Sequence, residues 1–165
     1  MLLAVSSLAG SYVKQLEERL AGVSDTFDNI DGITAVAHTE AGDEREPNNR
    51  EHLLRPLAGF VVHPNVGAVL IVDRGHEVVT GEDLRNFLIE NDYPLDAVPH
   101  YFLSLKAPLE EDLKHGQVVI QEWLESLNAT PATPTPVSEL KIALQCGGSD
   151  SFSGVSGNPL AAWVA

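Results

Sequence analysis

The run Val66-Gly67-Ala68-Val69-Leu70-Ile71-Val72 carries no polar side chain. A strand with one wet face alternates apolar and polar residues, so an unbroken apolar run marks a strand covered on both faces. Two-sided cover belongs to parallel sheets, because the crossover helices joining parallel strands lie on the sheet faces. This run therefore predicts an α/β layered domain.

The segments around it carry the alternation that such a domain needs. Leu2 to Ser6 reads as a buried strand, followed by a helix with Val13, Leu16 and Leu20 on one face and Gly22 as its stop. Gly32 to Ala37 reads as a second strand. From Asn48 or Asn49 a helix carries Leu53, Leu54, Leu57, Phe60 and Val61, closed by His63-Pro64-Asn65. Pro56 lacks the N–H that a helix interior uses, so a kink or a restart is expected there. Thr80-Gly81-Glu82-Asp83 caps a helix bearing Leu84, Phe87 and Leu88. Pro99 to Leu105 is a candidate fourth strand, and Leu109 to Leu127 a long helix with Leu113, Val119, Ile120, Trp123 and Leu127 on its apolar side.

Strand alternating with helix predicts a three-layer domain over residues 1–128, with a mostly parallel sheet and helices on both faces, Rossmann-like or flavodoxin-like. Residues 129–139, with Pro131, Pro134 and Pro136 among threonines, read as an extended linker. Residues 140–165 are then the start of a second domain: a short strand at Ile142-Ala143-Leu144, a glycine-rich loop from Cys146 to Pro159, and a helix from Leu160.

Charge narrows the partners. Ten Lys and Arg stand against 24 Asp and Glu, a net charge of −14, and no basic stripe is present for nucleic acid or an anionic membrane surface. The single cysteine allows no internal disulfide and suits a reducing compartment. With no basic leader before the apolar start and no run long enough to span a bilayer, the expected location is cytoplasmic.

In parallel sheets ligands bind beyond the carboxyl ends of the strands. His38, Glu40, Asp73 and Cys146 each follow an expected strand. His38 and Glu40, two apart, would share a strand face, where an imidazole and a carboxylate bind one divalent metal or divide base and acid roles; a satisfied polar His is the plainer reading. Cys146 is either a small apolar side chain or a metal-facing or reactive thiolate. His63 closes a helix, and His52, His76, His100 and His115 show no metal-ligand spacing. There is no Walker loop, dinucleotide fingerprint or Gly-x-Ser-x-Gly elbow, which disfavours phosphoryl transfer and serine hydrolysis.

Three stretches together resemble one family. Gln145-Cys146-Gly147-Gly148-Ser149-Asp150-Ser151-Phe152-Ser153-Gly154-Val155-Ser156-Gly157-Asn158-Pro159 is similar to the signature of the altronate dehydratase/galactarate dehydratase family of sugar-acid hydro-lyases. Ile33 to Glu40, ending in His-Thr-Glu, and Leu54-Arg55-Pro56-Leu57-Ala58-Gly59 with His63-Pro64-Asn65 follow the same family in the same order. The resemblance implies removal of water from an aldonate or aldarate to give a 2-keto-3-deoxy acid, with a divalent metal, Fe(II) or Mn(II). It implies His38, Glu40 and Asp150 as catalytic residues and His38, Glu40 and Cys146 as metal ligands. Arg55, Gly147, Gly148, Ser149, Ser151 and Asn158 would bind the substrate, a small sugar acid. A homodimer is the expected assembly. Two departures stand out: the family often has Gly-Cys-Gly after His-Thr-Glu where this chain has Ala41-Gly42-Asp43, with Asp43 or Glu44 as replacement ligands, and usually has Thr at Pro56. The family pattern also runs on beyond Asn158-Pro159, so residues 140–165 would open a catalytic domain that continues outside this sequence. A non-catalytic scaffold or oligomerisation module, and a related lyase expelling a different group, are the other readings.

Overall fold

The computed structural model describes residues 1–42, 46–131, 133–148 and 150–164. It divides into two compact units, Met1–Pro131 and Ala132–Ala165. The first is an α/β domain in the order β1 (Leu2–Ala4), α1 (Gly10–Arg19), β2 (Ala35–Val36), α2 (Arg50–Val61), β3 (Val69–Asp73), α3 (Gly81–Glu90), β4 (His100–Ser104) and α4 (Leu109–Asn128). The four strands form one sheet in the order β2-β1-β3-β4, and every pairing is parallel.

Alternation along the two central strands sorts the core. Leu2 and Ala4 of β1 and Leu70 and Val72 of β3 pack with Tyr12, Val13 and Leu16 of α1 and Leu113, Val119 and Ile120 of α4. Leu3 and Val5 with Val69 and Ile71 pack with Leu54, Leu57 and Val61 of α2 and Leu84 and Leu88 of α3. The sheet thus carries two helices on each face, which is the three-layer arrangement expected from the unbroken apolar run. Every residue of β3 is buried, whereas the edge strand β4 is mostly half-exposed.

Helix ends follow the caps read from the sequence. Asn49 caps α2 by accepting from the His52 N–H. Thr80 and Asp83 close a reciprocal capping box at α3. Gly22 has φ +77°, a left-handed conformation that glycine adopts without steric cost. Two expectations for this unit need correction. Helix α2 does not restart at Pro56 but runs from Arg50 to Val61 with the proline inside it, its apolar face packed on the sheet through Leu54, Leu57 and Val61. Strand β2 is only Ala35–Val36; as an edge strand it pairs with β1 alone, opposite Leu2 and Leu3.

In the second unit the expected strand Ile142-Ala143-Leu144 lies in no ladder; a strand needs a neighbouring backbone, and the described residues of this unit supply none. The glycine-rich stretch is already helical from Ser151, passes through a wide turn at Ser153–Gly157 and continues as α5 (Asn158–Val164). Among the described residues no helix is long and apolar enough to cross a membrane.

Candidate active site

Strand order reverses direction between β1 and β3: the chain leaves β1 toward β2 on one side and β3 toward β4 on the other. Doubly wound sheets take ligands at this switch point, beyond the carboxyl ends of the strands. Here those ends are Ser6–Ser7 and the turn Asp73–Glu77, with His38–Gly42 following β2 beside them.

His38 and Glu40 lie beyond β2, in a turn rather than on a strand, so the shared-face argument does not hold for them. A local bond brings them together instead: the Glu40 N–H donates to His38 Nδ1 at 3.2 Å. A neutral imidazole accepting at Nδ1 carries its proton on Nε2. That Nε2 is buried and has no hydrogen-bond partner among the described residues. The Glu40 side chain is exposed and only brushes the Thr39 hydroxyl, at 3.4 Å. The loop is fixed to β1 through the Ser7 N–H, which donates to Glu40 O at 2.9 Å. Ala41 is 6% exposed with φ +58°, and Gly42 lies so close that a Cβ on it would meet Ser7 Oγ at 1.7 Å.

Beside this loop opens a polar cleft of about 520 Å³ lined by Ser7, Thr39, Glu40, Ala41, Gly42, Glu46, Pro47 and Asn48. Ser7, Glu46 and Asn48 were not singled out by the sequence pattern; Asn48 read only as a helix start. The replacement ligands considered for the absent cysteine, Asp43 and Glu44, lie outside the described residues. A second cavity, of about 370 Å³, lies before the amino ends of β1, β2 and β3, among Ile30, Ile33, Ala68, Ile120 and Trp123.

Other expected site residues have local partners. Arg55 is exposed on α2 and pairs with Glu51 one turn earlier, so in this arrangement its guanidinium is engaged along its own helix. Asp73 is 5% exposed; one carboxylate oxygen accepts from the Gly81 N–H at 2.5 Å, at the start of α3, and the other has no partner among the described residues.

In the second unit, Asp150 works as a helix cap. Its Oδ1 accepts from the Ser153 N–H at 2.7 Å, while its own N–H donates to Ser153 Oγ at 3.2 Å. The Cys146 thiol donates to Gly148 O at 3.1 Å, and Ser153 Oγ reaches the same carbonyl at 3.3 Å. Gly147, Gly148, Ser151 and Asn158 are exposed. Ser149 lies outside the described residues.

The residues present do not by themselves fit a divalent ion. Among the described residues no three His, Cys, Asp or Glu side chains gather to hold one. His38 in its present tautomer also presents an N–H, not a lone pair, at Nε2.

Residues 1–128 match the family model described as D-galactarate dehydratase/altronate hydrolase, second domain. Residues 137–165 match the model for the D-galactarate/altronate dehydratase C-terminal region. The chain is 34% identical to an altronate dehydratase of Bacillus subtilis (strain 168) over 135 residues, 79% of this chain and 25% of that protein. It is 26% identical to an altronate dehydratase of Escherichia coli (strain K12), covering 89% of this chain and 28% of the relative. A galactarate dehydratase (L-threo-forming) of Escherichia coli (strain K12) is 28% identical over 64% of this chain and 21% of its own length. The chain thus spans about a quarter of the length of the curated relatives it matches. No solved structure matches it.

Proposed function

Because the chain belongs to the D-galactarate dehydratase/altronate hydrolase family, we propose that it is part of a hydro-lyase that eliminates water from an aldonate or aldarate. The observation that carries this reading is the match of two family segments, in order, along one chain. Both the aldonate and the aldarate classes follow from the names of the relatives.

Elimination removes the proton on the carbon beside the carboxylate and expels the hydroxyl from the next carbon; the resulting enol becomes the 2-keto-3-deoxy acid. A base must take the first proton and an acid must supply one to the departing hydroxyl. His38 and Glu40, two residues apart beside the polar cleft, are the pair of this chain suited to those roles. The exposed Glu40 carboxylate is the base, and His38 takes the acid role, for which its buried Nε2–H must first be uncovered by movement of the loop. Iron(II) or manganese(II) is the cofactor this reading calls for. Since the described residues do not gather into an ion site, the proton transfers are assigned to side chains alone. Asp150 holds the start of the helix after the glycine-rich loop, and its part in the reaction is to fix that loop.

The test is an assay of the full-length protein, with iron(II) and with manganese(II), against a panel of aldonates and aldarates, following 2-keto-3-deoxy acid formation. Turnover of one member, lost in His38→Asn and Glu40→Gln with the fold intact, supports the reading. Turnover of none of the panel, or full activity in both variants, removes it and favours the scaffold role.

A further inference from the structure

The crevice at the switch point is filled from within. Glu77, which the sequence pattern did not mark, is 8% exposed and turns its carboxylate back into the turn after β3. One oxygen accepts from the Ser6 hydroxyl at 2.9 Å and from the Arg74 N–H at 2.7 Å. The other accepts from the His76 N–H at 3.1 Å. Burial opposes ionisation, but these bonds outweigh it and hold the Glu77 carboxyl below its ordinary range, as expected for a carboxylate accepting several N–H and O–H groups.

The partner at the other end of this clasp matters more than the carboxylate itself. Ser6 is fully buried, and an ionised carboxylate accepts only, so its hydroxyl proton must point to Glu77. The hydroxyl oxygen is thereby left to accept from the Leu8 N–H, at 3.2 Å. Those two bonds fix the turn Ser6–Leu8, and the residue inside that turn, Ser7, is the one that holds the His38–Glu40 loop through its N–H on Glu40 O. Gly42 packs against the same serine. The connection therefore runs from the end of β3, through the end of β1, to the loop after β2.

We infer that Glu77 is a positioning residue for the His38–Glu40 loop: it sets the Ser6–Ser7 turn on which that loop is hung. It touches neither His38 nor Glu40 and has no part in proton transfer. Calling the loop a reaction site rests on the dehydratase reading, but the hydrogen-bond connection does not.

The experiment uses the 165-residue chain and reads the loop directly. Amide hydrogen exchange is followed at Ser7, and the ring ¹⁵N shifts of His38 report its tautomer. In Glu77→Ala the Ser7 amide is expected to lose protection by about tenfold or more, since its neighbours lose a buried hydrogen-bond partner. The His38 nitrogens should move toward the averaged values of a mixed tautomer, while amides of β3 keep their relative protection. Added formate, refilling the space of the carboxylate, should restore both signals in that variant. Should Glu77→Ala fail to fold, Glu77→Gln, which keeps one acceptor oxygen, is expected to show the same changes to a smaller degree. Unchanged Ser7 protection and an unchanged His38 ring in either folded variant overturn the inference, as does a loss spread equally over β3. Because neither signal involves turnover, an inactive full-length enzyme leaves this result standing, and the reverse also holds.

Discussion

Gly116 lies where α4 crosses α1, and a Cβ there would come within 2.3 Å of the Tyr12 hydroxyl and 2.8 Å of Leu16 Cδ2. The absence of a side chain lets Tyr12 pass under α4 and donate to Asp112 O at 2.7 Å. Burial, reinforced by the Asp112 charge, raises the phenol above its ordinary pKa, so it stays a neutral donor. Gly116→Ala is expected to destabilise the domain by about 1–3 kcal/mol, the usual range for overpacking a core, read as a lower urea midpoint with an unchanged slope. Ala41 shows the converse situation. Its backbone is left-handed, at φ +58°, a conformation that glycine adopts without steric cost. An alanine there costs about 1–2 kcal/mol, which the burial of its methyl group partly offsets. Ala41→Gly should therefore change stability by less than about 1 kcal/mol, whereas a β-branched Ala41→Val should destabilise clearly, both checked by thermal melting. None of these constraints was legible in one sequence. Gly116 and Glu77 each owe their role to residues about a hundred or seventy positions away, which no local pattern reports.

Among the elements, helix ends were the most legible, because caps are local chemistry. Asn49 and the Thr80/Asp83 box sit where the residue types predict. Thr80→Ala removes one side of that box and is expected to cost about 1 kcal/mol, measured by chemical denaturation. Pro56 was legible as a misfit, and the outcome is a continuous helix that tolerates it. It is exposed on α2, so Pro56→Ala restores a hydrogen bond without disturbing the core. The substitution should stabilise the domain by up to about 3 kcal/mol, less the roughly 0.4–1 kcal/mol by which proline restricts the unfolded chain. Strand lengths were less legible. Apolar runs mark what is buried, but a ladder also needs a neighbour, and neither the residues flanking β2 nor Ile142-Ala143-Leu144 have one. The same reason corrected the site: His38 and Glu40 were read as strand neighbours and are joined by a turn.

For the whole molecule, acid is the informative perturbation. Glu77 and Asp83 both have carboxyls held below their ordinary values; burial opposes ionisation in each, and hydrogen bonds, with Arg50 beside Asp83, prevail. A depressed folded pKa contributes stability that is fully present above the unfolded value, near pH 4 for these groups, and is lost as pH falls through the folded value. Stability of the first unit should therefore drop below about pH 4, and Glu77→Gln should flatten that drop, as denaturation at stepped pH would reveal. Layering was readable early because it depends on a sum: unbroken apolar runs fix what must be covered. The site was readable only in part, since the Ser7 anchor and the cleft exist through the sheet order.

That order also sets a timetable. Leu2 pairs with Leu70, and only then is β1 closed on both sides. Such long-range pairing must await the intervening chain and slows folding relative to local contacts. On a ribosome β1 would stay incomplete through the synthesis of α1 and α2, and the Ser6–Ser7 turn beside the His38 loop would gain its bond to Glu77 only after β3 had emerged.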